Sequence, residues 1–205
     1  MHYRLAALSS MLLALLTLGC ASTPPAQSRL TIQEQAALRV SHARLADLES
    51  ALERARQAAS LRARHEQQVE RLLERGFKLV GTRYRYGGTT VQSGFDCSGF
   101  IGYLFRNEAG LHLPRSTGQM IRYAAPKVAR HELEPGDIVF FSVRRKGQVD
   151  HAGIYIGDNR FIHSASQSSG VRVDRLDRGY WASRYLQAKR VLAPLPSMTL
   201  DLAQR

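Results

Sequence analysis

Three residues of this chain have the chemistry of a thiol-dependent active site: Cys97, His151 and His163. Cys97 stands in GFDCSGFIGYLF, after an acidic residue and before an apolar run. Asp96 suits a helix N-cap, so we predict a helix from Cys97 to about Glu108. The unpaired amides and partial positive charge of a helix start favour thiolate over thiol. We therefore expect a lowered pKa for Cys97 and a ready site for an oxyanion.

A thiolate enzyme also needs a base, and two histidines are suited to that role. VDHAGIYIG and RFIHSAS have the pattern of two strands joined by a Gly-Asp-Asn turn at 157–159. Because strand side chains alternate between faces, either register of this hairpin puts His151 and His163 on one face of the sheet. The second ring can then orient the first. Asp150 points to the other face and is a poor orienting group.

The same side chains permit other interpretations. A single Cys at a helix start can be structural, and a His on a strand can be an ordinary polar residue with its hydrogen bonds satisfied. Zinc binding by Cys97, His151 and His163 is disfavoured, because there is no second clustered thiol and three ligands would need water or a carboxylate. We expect no metal and no cofactor, and the residues alone leave catalysis open.

The charge balance of the chain is strongly basic. It carries 29 Lys and Arg against 17 Asp and Glu, for a formal net charge of +12. Such a field favours an anionic partner, which can be nucleic acid, acidic lipid or a wall polymer. The basic residues are scattered singly, and there is neither a zinc-finger spacing nor an RNA-binding aromatic motif. Nucleic acid is therefore the disfavoured partner.

Residues 1–19 have the pattern of a bacterial lipoprotein signal peptide. The apolar segment Leu5–Leu18 is shorter than the roughly 20 residues of a transmembrane helix, but it suits an export signal. It ends in TLGC, which resembles a lipobox in which Cys20 is lipidated. An uncleaved anchor or an ordinary signal peptide is the alternative. Ala21, in place of an Asp, favours the outer membrane. If Cys20 carries lipid, Cys97 has no intrachain disulfide partner, which suggests a reactive thiol.

The remainder of the chain divides into four segments. Residues 20–29 are small and polar and predict a flexible linker beyond the lipid anchor. Residues 30–75 lack Pro and Gly and predict a long helix, which then ends or breaks at Gly76. Residues 76–195 form the main domain, and 196–205 are a tail without a clear pattern.

The helix of residues 30–75 carries an imperfect apolar heptad that includes Leu38, Leu45, Leu52 and Ala59. It can be a spacer, a coiled coil that binds a protein partner or self-associates, or a solvated helix that fits loosely against the domain.

Within the main domain, helical patterns come first and a strand meander follows. The strands are predicted in LEPGDIVFFSV, in the histidine hairpin, in GVRVDRL and in YLQAKRVL. This order predicts an α+β fold, with an antiparallel sheet and helices packed against one side of it.

Five blocks of sequence indicate one class of enzyme: GTRYRYGG, GFDCSGF, LPRSTGQM, LEPGDIVFF, and VDHAGIYIG with RFIHS. In this order and spacing, residues 79–192 resemble the NlpC-type cysteine peptidases, which are papain-like endopeptidases of bacterial cell walls. The resemblance implies that Cys97 is the nucleophile, His151 the general base and His163 the orienting residue. It also implies that the hydroxyl of Tyr84 shapes the oxyanion site.

The resemblance further suggests which residues meet the substrate. Asp96 and Ser98 flank the nucleophile and can face the substrate groove, with helix capping as the alternative. Arg115 and Ser116 can line a cleft, with a structural role as the alternative.

The function implied is a peptidoglycan endopeptidase at the periplasmic face of a Gram-negative cell envelope, held to the outer membrane through Cys20. An amidase that cuts the sugar–peptide bond, an acyltransferase and a non-catalytic wall-binding lipoprotein acting through residues 30–75 are the alternatives. A further hypothesis is that the 30–75 helix covers the cleft and inhibits the enzyme.

Overall fold

The structure is a computed structural model that describes residues 31–144 and 146–192. The predicted signal peptide, the lipidation site at Cys20, the linker and the tail lie outside the described residues. Contacts divide the chain into two compact units, Met1–Ser50 and Ala51–Arg205. The first helix, α1 (Ile32–Lys78), contributes residues to both units. No helix within the described ranges is both long and apolar enough to cross a membrane.

In the first unit, α1 begins with a reciprocal cap. The backbone N–H of Thr31 donates to the carboxylate of Glu34 at 2.7 Å, and the N–H of Glu34 donates to the hydroxyl of Thr31 at 3.3 Å. The heptad residues Leu38 and Leu45 are exposed by 43% and 56%, and their apolar neighbour Leu48 is exposed by 61%. The described part of this unit therefore lacks a buried core of its own.

In the second unit, the last turns of α1 belong to the core of the main domain. Leu72 is fully buried, and Val69 and Leu73 pack against the same cluster. Gly76 lies so close to the core that an added Cβ would stand 3.5 Å from Ile162. The helix continues through Gly76 to Lys78, so the predicted end or break at Gly76 is wrong. The main domain thus draws part of its core from residues predicted to lie in the preceding helix.

Short elements lead from α1 to the sheet. A two-stranded ribbon, β1 (Thr89–Thr90) with β2 (Gly94–Phe95), precedes α2 (Cys97–Ala109). The short α3 (Thr117–Met120), β3 (Lys127–Val128) and a 3₁₀ turn (Arg130–Glu132) follow.

A six-stranded antiparallel sheet supports the domain, in the order β3-β8-β4-β5-β6-β7. Its remaining strands are β4 (Ile138–Phe141), β5 (His151–Gly157), β6 (Arg160–Ser164), β7 (Val171–Arg175) and β8 (Tyr185–Lys189). A short helix, α4 (Gly179–Ala182), lies between β7 and β8. The α+β fold with an antiparallel sheet is confirmed.

Alternation along β4 shows how both faces of the sheet are buried. Ile138 and Phe140 join the apolar cluster that includes α2, whereas Val139 and Phe141 join the opposite cluster, against which Trp181 packs. All four side chains are almost completely buried, so β4 contributes to the apolar cluster on each face of the sheet. The second face is covered in part by α4.

The predicted hairpin of β5 and β6 is confirmed, and its turn fixes the register. Asp158 and Asn159 adopt left-handed backbone angles, with φ of +50° and +54°, as a two-residue hairpin turn requires. The resulting pairing sets Ile154 opposite Ile162. In this register His151 and His163 are diagonal neighbours on one face of the sheet.

Replacing Leu72 with Ala should lower the free energy of unfolding by about 2–5 kcal/mol, because the change leaves a cavity in a fully buried site. Urea denaturation of the full chain measures the effect. Leu52→Ala in the same helix is the matched control, since Leu52 is 57% exposed and its loss should cost no more than about 0.5 kcal/mol. Equal effects of the two changes would show that the end of α1 is not part of the core.

Candidate active site

The predicted nucleophile stands at the first residue of α2. The N-cap is Asp96, whose carboxylate accepts a hydrogen bond from the N–H of Gly99 at 2.7 Å. The backbone N–H of Phe100 donates to the carbonyl of Asp96. The N–H groups of Cys97 and Ser98 are left to interact with the sulfur of Cys97 itself. Two amides at the helix start are therefore beside the sulfur, where they can donate to the oxyanion that forms on the carbonyl oxygen of an attacked substrate.

Two glycines allow the loop that carries Tyr84 to approach the start of α2. A Cβ on Gly99 would stand 2.0 Å from the carbonyl oxygen of Gly88, and a Cβ on Gly88 would stand 2.2 Å from that of Gly94. No side chain fits these approaches. The residue pattern around YGG and CSG thus reflects direct backbone contact between the loop and the helix.

Contacts with two strands position Cys97 relative to the sheet. The backbone amide of Ala152 in β5 contacts the sulfur of Cys97. The buried hydroxyl of Ser164, at the end of β6, donates to the carbonyl of Phe95 at 2.7 Å. The thiol is therefore held beside the first residues of β5, where His151 lies.

The thiol of Cys97 is not acidified in the free protein. Burial and the neighbouring carboxylate of Asp96 raise its pKa to about 11, and the amides of Ala152, Ser98 and Cys97 offset only part of this rise. The lowered pKa predicted from the helix start is therefore wrong: the dipole is present, but desolvation and a like charge outweigh it. At neutral pH the resting site contains a thiol rather than a thiolate.

The two histidines form a buried chain with an acidic residue at its end. The Nε2 atom of His151 lies 2.6 Å from Nδ1 of His163, and the Nε2 atom of His163 lies 3.0 Å from Oδ2 of Asp174. Burial lowers the pKa of His151 well below its usual value, and His163 acts in the same direction, whereas Asp174 opposes them. Burial also lowers the pKa of His163. Both rings are therefore neutral at pH 7.

A cleft of about 470 Å³ gives access to this site. Its lining residues include Cys97, His151, Tyr84, Arg144, Trp181 and Tyr180. Within the second unit, residues 51–78 of α1 do not contribute to the lining. The thiol is partly accessible from the cleft, so a substrate carbonyl can reach it.

Tyr84 lies on this cleft with its ring half-buried. Burial raises its pKa, and the charges of Cys97 and Asp96 add to the rise. Its hydroxyl therefore keeps its proton at neutral pH and can donate a hydrogen bond to a developing oxyanion.

The residues suggested for substrate binding lie beside the cleft rather than in it. Arg115 donates two hydrogen bonds to the carboxylate of Asp96, at 2.7 and 3.0 Å, and a third to the hydroxyl of Ser98 at 2.8 Å. Ser116 caps α3. These contacts favour the structural alternative for all four residues. Arg115 and Ser98 line a smaller neighbouring cavity.

Two residues of the site, Asp174 and Trp181, were not predicted from the sequence. Asp174 is recognisable only when the pairing of β6 with β7 is known, because the loop of residues 165–170 hides the register. Trp181 is the one tryptophan of the chain and lies in a turn-like segment without periodicity. Its ring stacks on His151 at 5.1 Å between centroids.

Within residues 31–144 and 146–192, no group of three His, Cys, Asp or Glu side chains is arranged to hold a metal ion.

Alkylation of Cys97 should report its high pKa directly. In the native full chain, we expect the rate of reaction with iodoacetamide to rise roughly tenfold per pH unit from about pH 8 to 10. In the urea-unfolded chain the rate should level off above about pH 9, near the ordinary thiol pKa. Mass spectrometry of the peptide that carries Cys97 separates it from Cys20. A native rate that reaches its plateau below pH 8 would mean that the resting site holds a thiolate.

Curated relatives share the sequence of this domain. The murein DD-endopeptidase MepH of Escherichia coli strain K12 is 38% identical over 117 residues, which cover 56% of this chain and 43% of MepH. The probable endopeptidase NlpC homolog of Haemophilus influenzae is 47% identical, covering 55% of this chain and 57% of that protein. The E. coli murein DD-endopeptidase MepS/murein LD-carboxypeptidase is 44% identical, covering 60% and 63%. The chain thus spans about half the length of these relatives.

Solved structures share the fold. An NlpC/P60 family protein from Bacillus cereus ATCC 10987 matches with a TM-score of 0.56 and 33% identity, over 60% of this chain and 40% of that one. The peptidoglycan hydrolase RipB of Mycobacterium tuberculosis matches with a TM-score of 0.54 and 26% identity, over 63% of this chain and 67% of that one. The model of the NlpC/P60 family itself matches residues 81–190, which hold the helix start, the cleft and the histidine hairpin. Since that match covers more than half of the chain, the protein belongs to the NlpC/P60 family.

Proposed function

We propose that the protein is a cysteine peptidase that hydrolyses peptide bonds in peptidoglycan stem peptides or cross-links. The observation that carries the proposal is the arrangement in one cleft of a thiol at a helix start, a buried pair of imidazoles and a protonated tyrosine. Each group has a chemical task in acyl transfer, and the groups belong to four different parts of the chain. The arrangement needs no metal or organic cofactor.

The first half of the proposed reaction acylates the enzyme. The sulfur of Cys97 attacks the substrate carbonyl as its proton passes to His151, so that a C–S bond and an oxyanion form together. The N–H groups at the start of α2 and the hydroxyl of Tyr84 donate to this oxyanion. The protonated His151 then transfers the proton to the leaving amine, and the C–N bond breaks to leave a thioester.

The second half releases the acid. His151 takes a proton from water, the resulting hydroxide attacks the thioester carbonyl, and the C–S bond breaks. The sulfur recovers a proton from His151, which returns the site to its neutral resting state. His163 stays hydrogen-bonded to His151 throughout and holds its ring in place.

The relatives support peptidoglycan as the substrate, since murein is the named substrate of MepH and of MepS. The basic net charge of +12 suits an anionic wall polymer.

The proposal includes the location of the enzyme. Lipidation at Cys20 would tether it to the periplasmic face of the cell envelope, on the outer membrane. Residues 21–29 and the exposed part of α1 would then separate the membrane from the domain. One solved relative, from Staphylococcus aureus, is described as similar to lipoprotein.

Digestion of peptidoglycan tests the function. The full chain, purified in mild detergent and incubated with sacculi, should release shortened or uncrosslinked stem peptides that mass spectrometry identifies. Cys97→Ser should reduce the rate by about 1000-fold or more, because a hydroxyl in this site is a far weaker nucleophile. Cys20→Ser is the matched control and should keep full activity in detergent.

The products separate the proposal from its alternatives. Free, intact stem peptides would indicate an amidase, and stems joined to a new amine would indicate an acyltransferase. An unchanged muropeptide profile with folded wild-type protein would contradict the enzymatic function and favour a wall-binding role.

A further inference from the structure

We propose that Asp174, held in place by Trp181, is a positioning residue that sets the tautomers of both imidazoles and so leaves Nδ1 of His151 free to accept the proton of Cys97. The inference adds a fourth and a fifth residue to the three that form the predicted triad. It rests on the proposed function only where turnover is measured.

The carboxylate of Asp174 ends the chain of hydrogen bonds that begins at His151. Oδ2 of Asp174 accepts hydrogen bonds from three side chains: from Nε2 of His163 at 3.0 Å, from Nε1 of Trp181 at 2.8 Å, and from both Nε and Nη2 of Arg172 at 3.0 and 2.7 Å. Burial alone would raise the pKa of Asp174, but these donors outweigh it and lower the pKa to about 2. An ionised carboxylate can only accept hydrogen bonds. Nε2 of His163 therefore carries the proton.

The proton on Nε2 of His163 determines the tautomer of His151 as well. A neutral imidazole has one N–H, so when Nε2 of His163 is protonated its Nδ1 is an acceptor. The contact of 2.6 Å to that atom must then be donated by the Nε2–H of His151. The remaining nitrogen of His151, Nδ1, has a free lone pair. This is the nitrogen that can accept a proton from the thiol.

Without a carboxylate beside His163, the two imidazoles can also form their hydrogen bond with the opposite pair of tautomers. Nδ1–H of His163 can donate to Nε2 of His151, and Nδ1 of His151 then carries the proton. In that state His151 presents an N–H to Cys97 and cannot act as a base. Asp174 thus selects one of two hydrogen-bonded states, and the selection reaches the thiol through two rings.

Trp181 contacts His151, His163 and Asp174 and holds them in place relative to one another. Its indole stacks on His151 with a centroid distance of 5.1 Å and an interplanar angle of 28°, and meets His163 edge to face at 4.9 Å. Its N–H donates to Asp174. One side chain therefore contacts all three groups and covers one face of His151.

The charges around His151 set the direction of the expected pH effect. The ring is flanked by His163 from β6, Asp174 and Arg172 from β7, Arg144 from the loop before β5, and the thiol of Cys97 from α2. Among these, the carboxylate of Asp174 is the group that raises the pKa of His151, whereas His163 and Arg144 lower it. Loss of the carboxylate charge should therefore lower the pKa of His151 further and weaken it as a base.

Nitrogen NMR of the full chain, selectively labelled at histidine, tests the tautomers without any assay of turnover. Both His151 and His163 should have Nε2–H and unprotonated Nδ1 in the wild-type protein at pH 7.5. Asp174→Asn should convert His151 to a mixture of tautomers, because an amide can donate as well as accept. His151→Gln and His163→Gln assign the signals. Nδ1–H on His151 in the wild-type protein would overturn the inference, as would tautomers that do not change in Asp174→Asn.

The pH profile of peptidoglycan cleavage is the second readout. Asp174→Asn should lower kcat on the order of 100-fold with little change in KM, and it should move the acidic limb of the profile to lower pH. Trp181→Phe, which keeps the stacked ring and removes its N–H, should have a smaller effect in the same direction. A lower kcat with an unshifted acidic limb would indicate a merely structural role for Asp174.

Asp177→Asn is the matched control for the charge change. Asp177 pairs with Arg175 at 2.6 Å on the exposed edge of the same segment, so its replacement should leave kcat, the pH profile and the tautomers unchanged. Equal losses of activity in both variants would contradict a specific role for Asp174. If the wild-type protein shows the expected tautomers but no cleavage, the proposed function fails and the positioning role stands.

A separate observation concerns the substrate. The side chain of Arg144 is exposed on the cleft, and its charge lowers the pKa of both Tyr84 and His151, so it lies close to the reacting groups. Its backbone is held by Asp150, which accepts hydrogen bonds from the N–H groups of Val143 and Arg144 at 2.7 and 2.6 Å. Among the described residues, no acidic side chain pairs with the Arg144 guanidinium. Arg172, the other cation of the cleft, is already paired with Asp174.

We infer that Arg144 binds a free α-carboxylate on the residue that supplies the scissile amide nitrogen. His151 protonates that nitrogen in the proposed reaction, and Arg144 lines the same cleft as His151, so the guanidinium is available to a group on the leaving amine. An unpaired guanidinium favours a carboxylate there. The substrates of this class are cross-links or stem ends whose amine-side residue keeps its carboxylate. This second inference also rests on the proposed function.

Two peptides that differ only in that carboxylate, free or amidated, test the inference. The catalytically inactive Cys97→Ser chain should bind the free acid about tenfold more tightly by calorimetry, and Arg144→Gln on that background should remove the preference. Arg160→Gln, a charge loss at the β5–β6 turn, should keep it. Equal affinities of Cys97→Ser for the two peptides would overturn the role of Arg144, whether or not the wild-type protein cleaves either one.

Discussion

The site depends on one junction, where the start of α2 meets the strands β5 and β6. The predicted nucleophile and base belong to different layers of the domain, and no covalent link holds them together. The hydrogen bond from Ser164 to the carbonyl of Phe95 and the contact between the Ala152 amide and the thiol supply that link. Each joins a residue of the hairpin to the segment that carries Cys97. Packing of α2 against the sheet then makes the junction rigid, because Phe100, Ile101 and Leu104 are fully buried.

Removal of water from this junction determines its electrostatics. Burial raises the pKa of Cys97 and lowers that of His151, so each group is shifted toward its neutral form. A neutral pair can exchange a proton when a carbonyl arrives, because the charges that form are then met by amides, by Tyr84 and by the chain that ends at Asp174. The same desolvation keeps the resting thiol in its less reactive form.

The sequence predicted the parts of the site that local patterns determine. Asp96 before an apolar helix, the turn at 157–159 and the strand alternation placed the cysteine at a helix start and both histidines on one face of the sheet. Helix and strand propensities depend on neighbouring residues in the sequence, however, whereas the pKa of Cys97 depends on the folded domain around it. The dipole of a helix start can be read from a sequence, whereas burial under the hairpin and the charge of Asp96 depend on tertiary packing. For the same reason Gly76 was predicted as a helix end, although contact with the core carries the helix through it.

Asp174 and Trp181 show where such prediction stops. The contact of Asp174 with His163 requires the register of β6 on β7, and the contact of Trp181 with His151 requires the path of the chain between β7 and β8. Neither follows from spacing in the sequence. Both contacts nevertheless act on Nδ1 of His151, since a hydrogen bond fixed at one end of a chain of neutral imidazoles fixes the polarity of every bond in the chain. A side chain two rings away from the sulfur can therefore decide whether the site has a base at all.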